Sequence, residues 1–294
     1  MILFPNAKIN IGLRVLRRRP DAYHDIESLF VPLPWCDILE IVPAVGGKGS
    51  FNIVGEDILK LDNDADNLVV KGLRALESYL GRQLPPLDIY LSKRIPTGAG
   101  LGGGSADASF ALRGVNELLG LGLDNEQLAA VAAKVGADCP FFIYNRPMVV
   151  EGIGDVMTPV EAPGLDNLWV LAAKIPGTEV STRQAYAGVT PAELSDGIDM
   201  AAALQCDPAE WVEKGLTNDF EPSVFAAQPR VAALKDWFNV DGGRCAYCSM
   251  SGSGSTVYGV YHSHEEACIY EEKLRQAYPG ADIFVGRLSS RPVG

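Results

Sequence analysis

The chain has 294 residues, of which 47% are apolar and 21% charged; this is the balance of a folded globular protein and excludes a disordered, collagenous or coiled-coil one. That length suits one large domain or two smaller ones and is ample for a buried core. Lys and Arg total 25 against 37 Asp and Glu, a net charge of −12, so neither nucleic acid nor an anionic membrane is an expected partner, and an anionic ligand needs a local attraction of its own.

No stretch reaches the ~18 consecutive apolar residues of a membrane span. Lys8, Arg14 and the run Arg17, Arg18, Arg19 break up any signal-peptide core, so a cytoplasmic protein is expected. Residues 7–15 alternate strictly, with Ala7, Ile9, Ile11, Leu13 and Val15 on one side and Lys8, Asn10, Gly12 and Arg14 on the other. This predicts a half-buried strand with a polar working face. Further strands are predicted at 28–33, 37–42 and 87–92. A helix is predicted over 67–80, with Leu68, Leu73, Leu76 and Leu80 on one side and Gly81 as its stop. A second spans 105–119. A third spans 124–135, with Asp124 as N-cap, Gln127 three residues on and Gly136 past its end. The turn-rich stretch 151–166 is the candidate domain boundary. Beyond it, strands are predicted at 168–175, 245–250, 256–261 and 282–286, and helices at 229–238 and 265–278. Helices follow runs of strands as well as alternating with them, which favours an α+β fold over a doubly wound parallel sheet.

The strongest local signal is Pro96, Thr97, Gly98, Ala99, Gly100, Leu101, Gly102, Gly103, Gly104, Ser105, between a strand and a helix. Five glycines in seven positions let the backbone approach a ligand closely and aim its N–H groups inward. The helix start adds its positive dipole end, and together these make a phosphate cradle. No Lys-Ser/Thr follows the last glycine, so this is not a Walker A loop. Gly98, Gly100 and Gly103 match G-x-G-x-x-G, yet the acidic residue about 20 positions on, Asp124, caps another helix instead of ending a second parallel strand. A protein kinase would need a valine where Ser105 stands. The spacing of Cys245 and Cys248 is that of a zinc knuckle or redox pair, but no second Cys/His pair stands at a suitable distance, and free cytosolic thiols are expected.

Three blocks in order resemble the motifs of the GHMP kinases, which phosphorylate small metabolites: residues 5–13 with Lys8 and Asn10, residues 96–105, and Ser251, Gly252, Ser253, Gly254, Ser255. Two more, Arg18 to His24 and Gly136 to Phe142, resemble the branch whose acceptor is a diphosphocytidyl sugar alcohol of the non-mevalonate isoprenoid pathway. The resemblance implies a two-domain α+β fold, with an N-terminal ATP-binding domain at 1–158 and a C-terminal substrate domain of mixed or antiparallel sheets and helices at 159–294. It implies phosphoryl transfer from ATP to the acceptor's 2-hydroxyl, with Asp138 as catalytic base and Lys8 beside it, residues 96–105 on the nucleotide, and Asn10, Tyr23, His24 and Tyr186 on the acceptor. Mg²⁺ is expected with ATP, its ligands undetermined, and no tightly bound organic cofactor. Three departures from the family pattern stand out: Asn6 for a proline, Ala22 for a glycine, and Ala106 for a serine whose hydroxyl would lie near the phosphates. A GHMP kinase acting on mevalonate, homoserine or a sugar, a non-catalytic nucleotide-binding module, and a nicotinamide-dependent oxidoreductase are the competing readings.

Overall fold

The computed structural model describes residues 1–54, 66–189, 196–241 and 244–291. In chain order, β1 (Ile2–Leu3), β2 (Asn6–Arg18), β3 (His24–Cys36), β4 (Ile38–Pro43) and β5 (Ser50–Val54) precede α1 (Leu68–Leu80). β6 (Leu87–Ser92) runs into α2 (Gly103–Leu118), followed by α3 (Asn125–Ala132) and α4 (Cys139–Tyr144). A hairpin of β7 (Met148–Gly152) and β8 (Val156–Pro159) leads to β9 (Trp169–Lys174), then α5 (Thr182–Gly188), α6 (Met200–Leu204), α7 (Glu221–Ala227) and α8 (Pro229–Asp236). β10 (Tyr247–Met250), β11 (Val257–Tyr261), α9 (His264–Ala277) and β12 (Asp282–Arg287) close the chain.

The strands form three four-stranded sheets, ordered β1-β4-β6-β5, β2-β3-β7-β8 and β10-β11-β9-β12. Among the described residues, β5 with β6 is the one parallel strand pair; the others are antiparallel, as the α+β reading requires. The caps fall where the sequence places them. Asn67 Oδ1 accepts from the Val69 N–H at 2.8 Å, and Gly81 closes α1 in the left-handed conformation. Asp124 and Gln127 form a reciprocal capping box on α3. The turn-rich stretch after residue 150 is largely the β7–β8 hairpin, with Glu151 paired to Val156.

The reading of residues 7–15 as a half-buried strand is corrected by the fold. β2 is buried on both faces through Leu13. Ala7, Ile9 and Ile11 pack with Leu29, Val31 and Leu33 of β3 against Val170 and Ala172 of β9 and Tyr258 and Val260 of β11. The opposite face of the same sheet lies under the N-terminal helices, where Phe30, Met148 and Val150 pack with Phe110, Phe141 and Phe142. The polar residues of β2 are therefore enclosed between two layers.

Candidate functional site

The chain leaves β6 under the control of Asp37, which is fully buried. Its Oδ1 accepts from the N–H groups of Arg94 and Ile95 at 2.5 and 2.8 Å, and its Oδ2 pairs with the Lys93 ammonium. Lys93 also donates to Asp107 Oδ2 at 2.7 Å, one turn into α2. The glycine loop so anchored has Gly98, Gly100 and Gly102 at positive φ. A Cβ on Gly100 would run into the Ser251 carbonyl, and one on Gly102 would lie 2.8 Å from Phe142 Cζ, so both positions require glycine. Gly102 is the N-cap of α2 and offers no side chain, which leaves the helix N-terminus open to a ligand.

The three motif blocks interlock through this loop. The Lys8 N–H donates to Leu101 O at 2.9 Å, and the Thr256 N–H to Ala99 O at 3.2 Å. Ser251 Oγ donates to Gly100 O at 2.9 Å. Asn218 braces the third block from behind, its Nδ2 donating to Met250 O at 2.7 Å and to Gly252 O at 2.8 Å. Glu221 accepts from the Met250 N–H at 2.8 Å.

Beside the loop, Lys8 Nζ lies 3.7 Å from Asp138 Oδ2 and donates to Asn10 Oδ1 at 2.6 Å. Asn10 is itself held, its Nδ2 donating to Ser28 Oγ at 2.8 Å. The ammonium also sits 4.5 Å above the Phe30 ring. Burial pulls Lys8 below the usual lysine range, and the Asp138 carboxylate opposes that pull. Asp138 is the N-cap residue of α4 yet makes no capping hydrogen bond, and its side chain is 36% exposed. A carboxylate that could satisfy its own helix faces the cleft and the lysine instead.

Farther along, β3 opens with His24, whose ring stacks on Tyr186 of α5 at 5.0 Å and 14°. Phe220 meets Tyr186 edge-on at 4.8 Å. A centroid separation of 5.0 Å leaves no room for a third ring between His24 and Tyr186, so a planar ligand would use the outer faces and the ring edges. Burial, then Arg18, lowers the His24 pKa from its usual value, so the neutral ring offers one donor and one acceptor at pH 7. Tyr23 is 60% exposed at the rim. Burial, with Asp138 adding to it, pushes the Tyr186 phenol up to about 12.

One cleft of about 1320 Å³ gathers all of these: Lys8, Asn10, Tyr23, His24, the whole run Pro96 to Ser105, Asp138 and Tyr186, with Arg18 and Arg183 in its wall. It exceeds the ~300–1,000 Å³ usual for one small ligand and has room for two.

The pattern of the N-terminal domain of the GHMP kinases matches residues 67–146, and that of their C-terminal domain matches residues 200–280. A 4-diphosphocytidyl-2-C-methyl-D-erythritol kinase from Parabacteroides distasonis is 44% identical over 262 residues, covering 89% of this chain and 92% of the relative. The chain belongs to this family of GHMP kinases. A crystal structure of a 4-(cytidine 5′-diphospho)-2C-methyl-D-erythritol kinase superposes with a TM-score of 0.79 at 29% identity, over 98% of this chain and 99% of that one. A homoserine kinase from Cytophaga hutchinsonii, at 19% identity and a TM-score of 0.70 over 98% and 96% of the two chains, shares the fold alone.

In this GHMP kinase the motifs located the cleft but not its supports. Asp37, Lys93, Asp107, Asn218 and Glu221 were not singled out. The Asn-Asp-Phe-Glu run at 218–221, just ahead of Pro222, is the signal that could have drawn attention to two of them. Asp107 is 3% exposed, and its Oδ1 has no hydrogen-bond partner among the described residues. Burial lifts its carboxyl up to about 8 against the pull of Lys93. The six cysteines are free, and among the described residues no cluster of three or more His, Cys, Asp or Glu could hold a metal. No described helix is long and apolar enough to cross a membrane.

Proposed function

We propose that the chain transfers the γ-phosphoryl group of ATP to the 2-hydroxyl of 4-diphosphocytidyl-2-C-methyl-D-erythritol, giving ADP and the 2-phosphate, a step in isoprenoid precursor formation. The observation that carries this reading is the Lys8–Asp138 pair, set in one cleft between the glycine loop and the His24–Tyr186 stack. The loop and the N-terminus of α2 bind the ATP phosphates through backbone N–H groups and so supply the local attraction that the −12 surface lacks. His24 reads the cytosine edge while Tyr23 and Tyr186 offer ring faces. Asn10 orients Lys8. Asp138 accepts the proton of the attacking hydroxyl, and Lys8 stabilises charge on the transferring group. A loose, metaphosphate-like transition state asks little early proton abstraction, so positioning carries most of the rate enhancement.

Mg²⁺ is expected with the nucleotide, and when bound it neutralises charge on the phosphate oxygens. The chain's donor set suits a cation held mostly by phosphates and water. Ser105 supplies a hydroxyl beside Cys139, and Ala106 supplies none. The N-terminal half, 1–158, is taken as the ATP-binding domain and 159–294 as the substrate domain. A cytoplasmic setting without nucleic-acid or membrane partners accords with the acidic surface. The test is ADP release with ATP and each acceptor in turn: the cytidine diphosphate alcohol, mevalonate and homoserine. Turnover with the first alone is the expected result, and turnover with either of the others in preference to it overturns the assignment.

A further inference from the structure

Two asparagines that the mechanism above does not use face each other in the core. Asn145 Nδ2 donates to Asn6 Oδ1 at 2.7 Å, and Asn6 Nδ2 donates to Asn145 Oδ1 at 3.2 Å. They are 0% and 1% exposed. Asn6 Nδ2 also donates to Ala7 O at 2.8 Å. A buried amide is costly to leave unpaired, and an apolar pair would fill the same space without that demand. Reciprocal amide pairing does something apolar packing does not: two antiparallel hydrogen bonds fix both the separation and the relative rotation of the parts they join.

The parts joined here are the carriers of Lys8 and Asp138. Asn6 begins β2, two residues before Lys8. Asn145 is the C-cap of the six-residue helix α4, and Asp138 is its N-cap. Asn145 takes φ +50, a left-handed conformation that asparagine tolerates better than most residues. The N-terminal end of α4 is held separately, by Ser109 Oγ donating to Cys139 O at 2.7 Å. A helix of this length is a rigid rod roughly 9 Å long. With the amide pair gone, α4 stays packed through Phe141 and Phe142 but loses the contact that registers its C-terminal end against β2, and a small shift of the helix carries the Asp138 carboxylate with it. β2 cannot follow, because the Lys8 N–H is tied to Leu101 O at 2.9 Å. The amide pair and the Lys8–Asp138 pair thus close a ring through one strand and one helix.

We propose that Asn6 and Asn145 are positioning residues that set the Lys8–Asp138 geometry for phosphoryl transfer. This rests on the reading of Lys8 and Asp138 as the reacting pair. The experiment compares Asn145→Gly, Asn6→Ala and the double variant with wild type, measuring kcat, the KM for ATP and thermal unfolding together. Glycine keeps the left-handed backbone at 145 and deletes the side chain that carries the amide. Each single variant is expected to lose ~10- to ~10²-fold in kcat, the scale of a small misplacement of reacting groups. The KM for ATP should stay within about twofold, since the glycine loop is untouched. The double variant should fall no further than the worse single one, because both remove the same link. Should Asn145→Gly not fold, Asn145→Asp takes its place: it keeps the shape and the acceptor but cannot donate back to Asn6. Unfolding temperatures that drop while kcat stays near wild type would make the pair a stability feature and overturn the proposal. Asp138→Asn in the same assay separates the two ideas. If it retains turnover, the reacting-pair reading falls and the positioning role with it; if it is inactive while the asparagine variants are fully active, the positioning role alone falls.

Discussion

Lys8 Nζ and Asp138 Oδ2 lie 3.7 Å apart, the lysine side chain 4% exposed and the aspartate 36%. The asymmetry suggests a division of labour: a fixed cation and a carboxylate open to the acceptor. Asp138→Asn is expected to fold and bind ATP nearly as well as wild type but to turn over ~10²-fold more slowly or worse. Lys8→Ala should likewise lose more in single-turnover rate than in ATP affinity if, as proposed, its charge acts where charge develops. Calorimetric ATP binding beside rapid-quench kinetics checks both. A Lys8 variant that loses only affinity would make the lysine a nucleotide contact.

On the proposed function, base selectivity comes from the ring edge of His24 and not from its stack on Tyr186. Stacking tolerates any base and contributes ~1–3 kcal/mol, whereas an edge hydrogen bond left unpaired by the wrong base discriminates much more strongly. The cytidine acceptor should therefore greatly outperform its uridine analogue. His24→Ala should shrink that ratio, and Tyr23→Ala should weaken both acceptors about equally. The measurement is kcat/KM for each acceptor in each variant; an unchanged ratio in His24→Ala removes the histidine from base recognition.

Asp107 makes stability depend on pH. Unfolded, it loses its proton near the ordinary carboxylate value of about 4. Folded, burial holds the proton until about 8. Between those values the folded state binds the extra proton, so this contribution to stability is complete below about pH 4 and is lost as pH rises through about 8. Asp107→Asn keeps an acceptor for Lys93 and removes the titration. Its unfolding temperature should fall less than that of wild type between pH 5 and 8, as followed by circular dichroism. Parallel profiles for the two proteins would mean that Asp107 is ionised in the fold.

Ala22 sits at φ +70, where the Cβ of an L-residue is crowded by its own backbone. It is held there by a turn in which its N–H donates to Arg19 O at 3.1 Å and the Arg19 N–H donates to Tyr23 O at 2.7 Å. Glycine relieves strain of ~1–2 kcal/mol and gives back ~0.4–1 kcal/mol through a freer unfolded chain. Ala22→Gly should therefore stabilise the protein by a fraction of a kcal/mol to about 1 kcal/mol in denaturant unfolding. A destabilised variant would mean that the turn does not hold the strained conformation.

Local signals were legible where local chemistry decides. Asn67 and Gly81 mark the ends of α1, and Asp124 with Gln127 marks the start of α3, because each cap is a contact within a few residues. The short helices α5 to α7 carry too few turns for a readable period, whereas Pro140 marks the start of α4. Lys8 and Asn10 read as the polar working face of a half-buried strand because strand alternation records two sides without saying what covers each.

The sequence by itself named the groups that the cleft gathers: a glycine loop whose backbone must bend where side chains cannot, a lysine on a strand, an aspartate ahead of Cys139 and Pro140, and an aromatic–histidine pair. The tertiary structure alone decided how these meet. Asp37 holds Lys93, Asn218 holds the third glycine block and Asn6 holds Asn145, each across a long stretch of chain. Such contacts leave no periodic or neighbouring trace, because a buried hydrogen bond depends on where the fold brings two side chains and not on how far apart they stand in the chain.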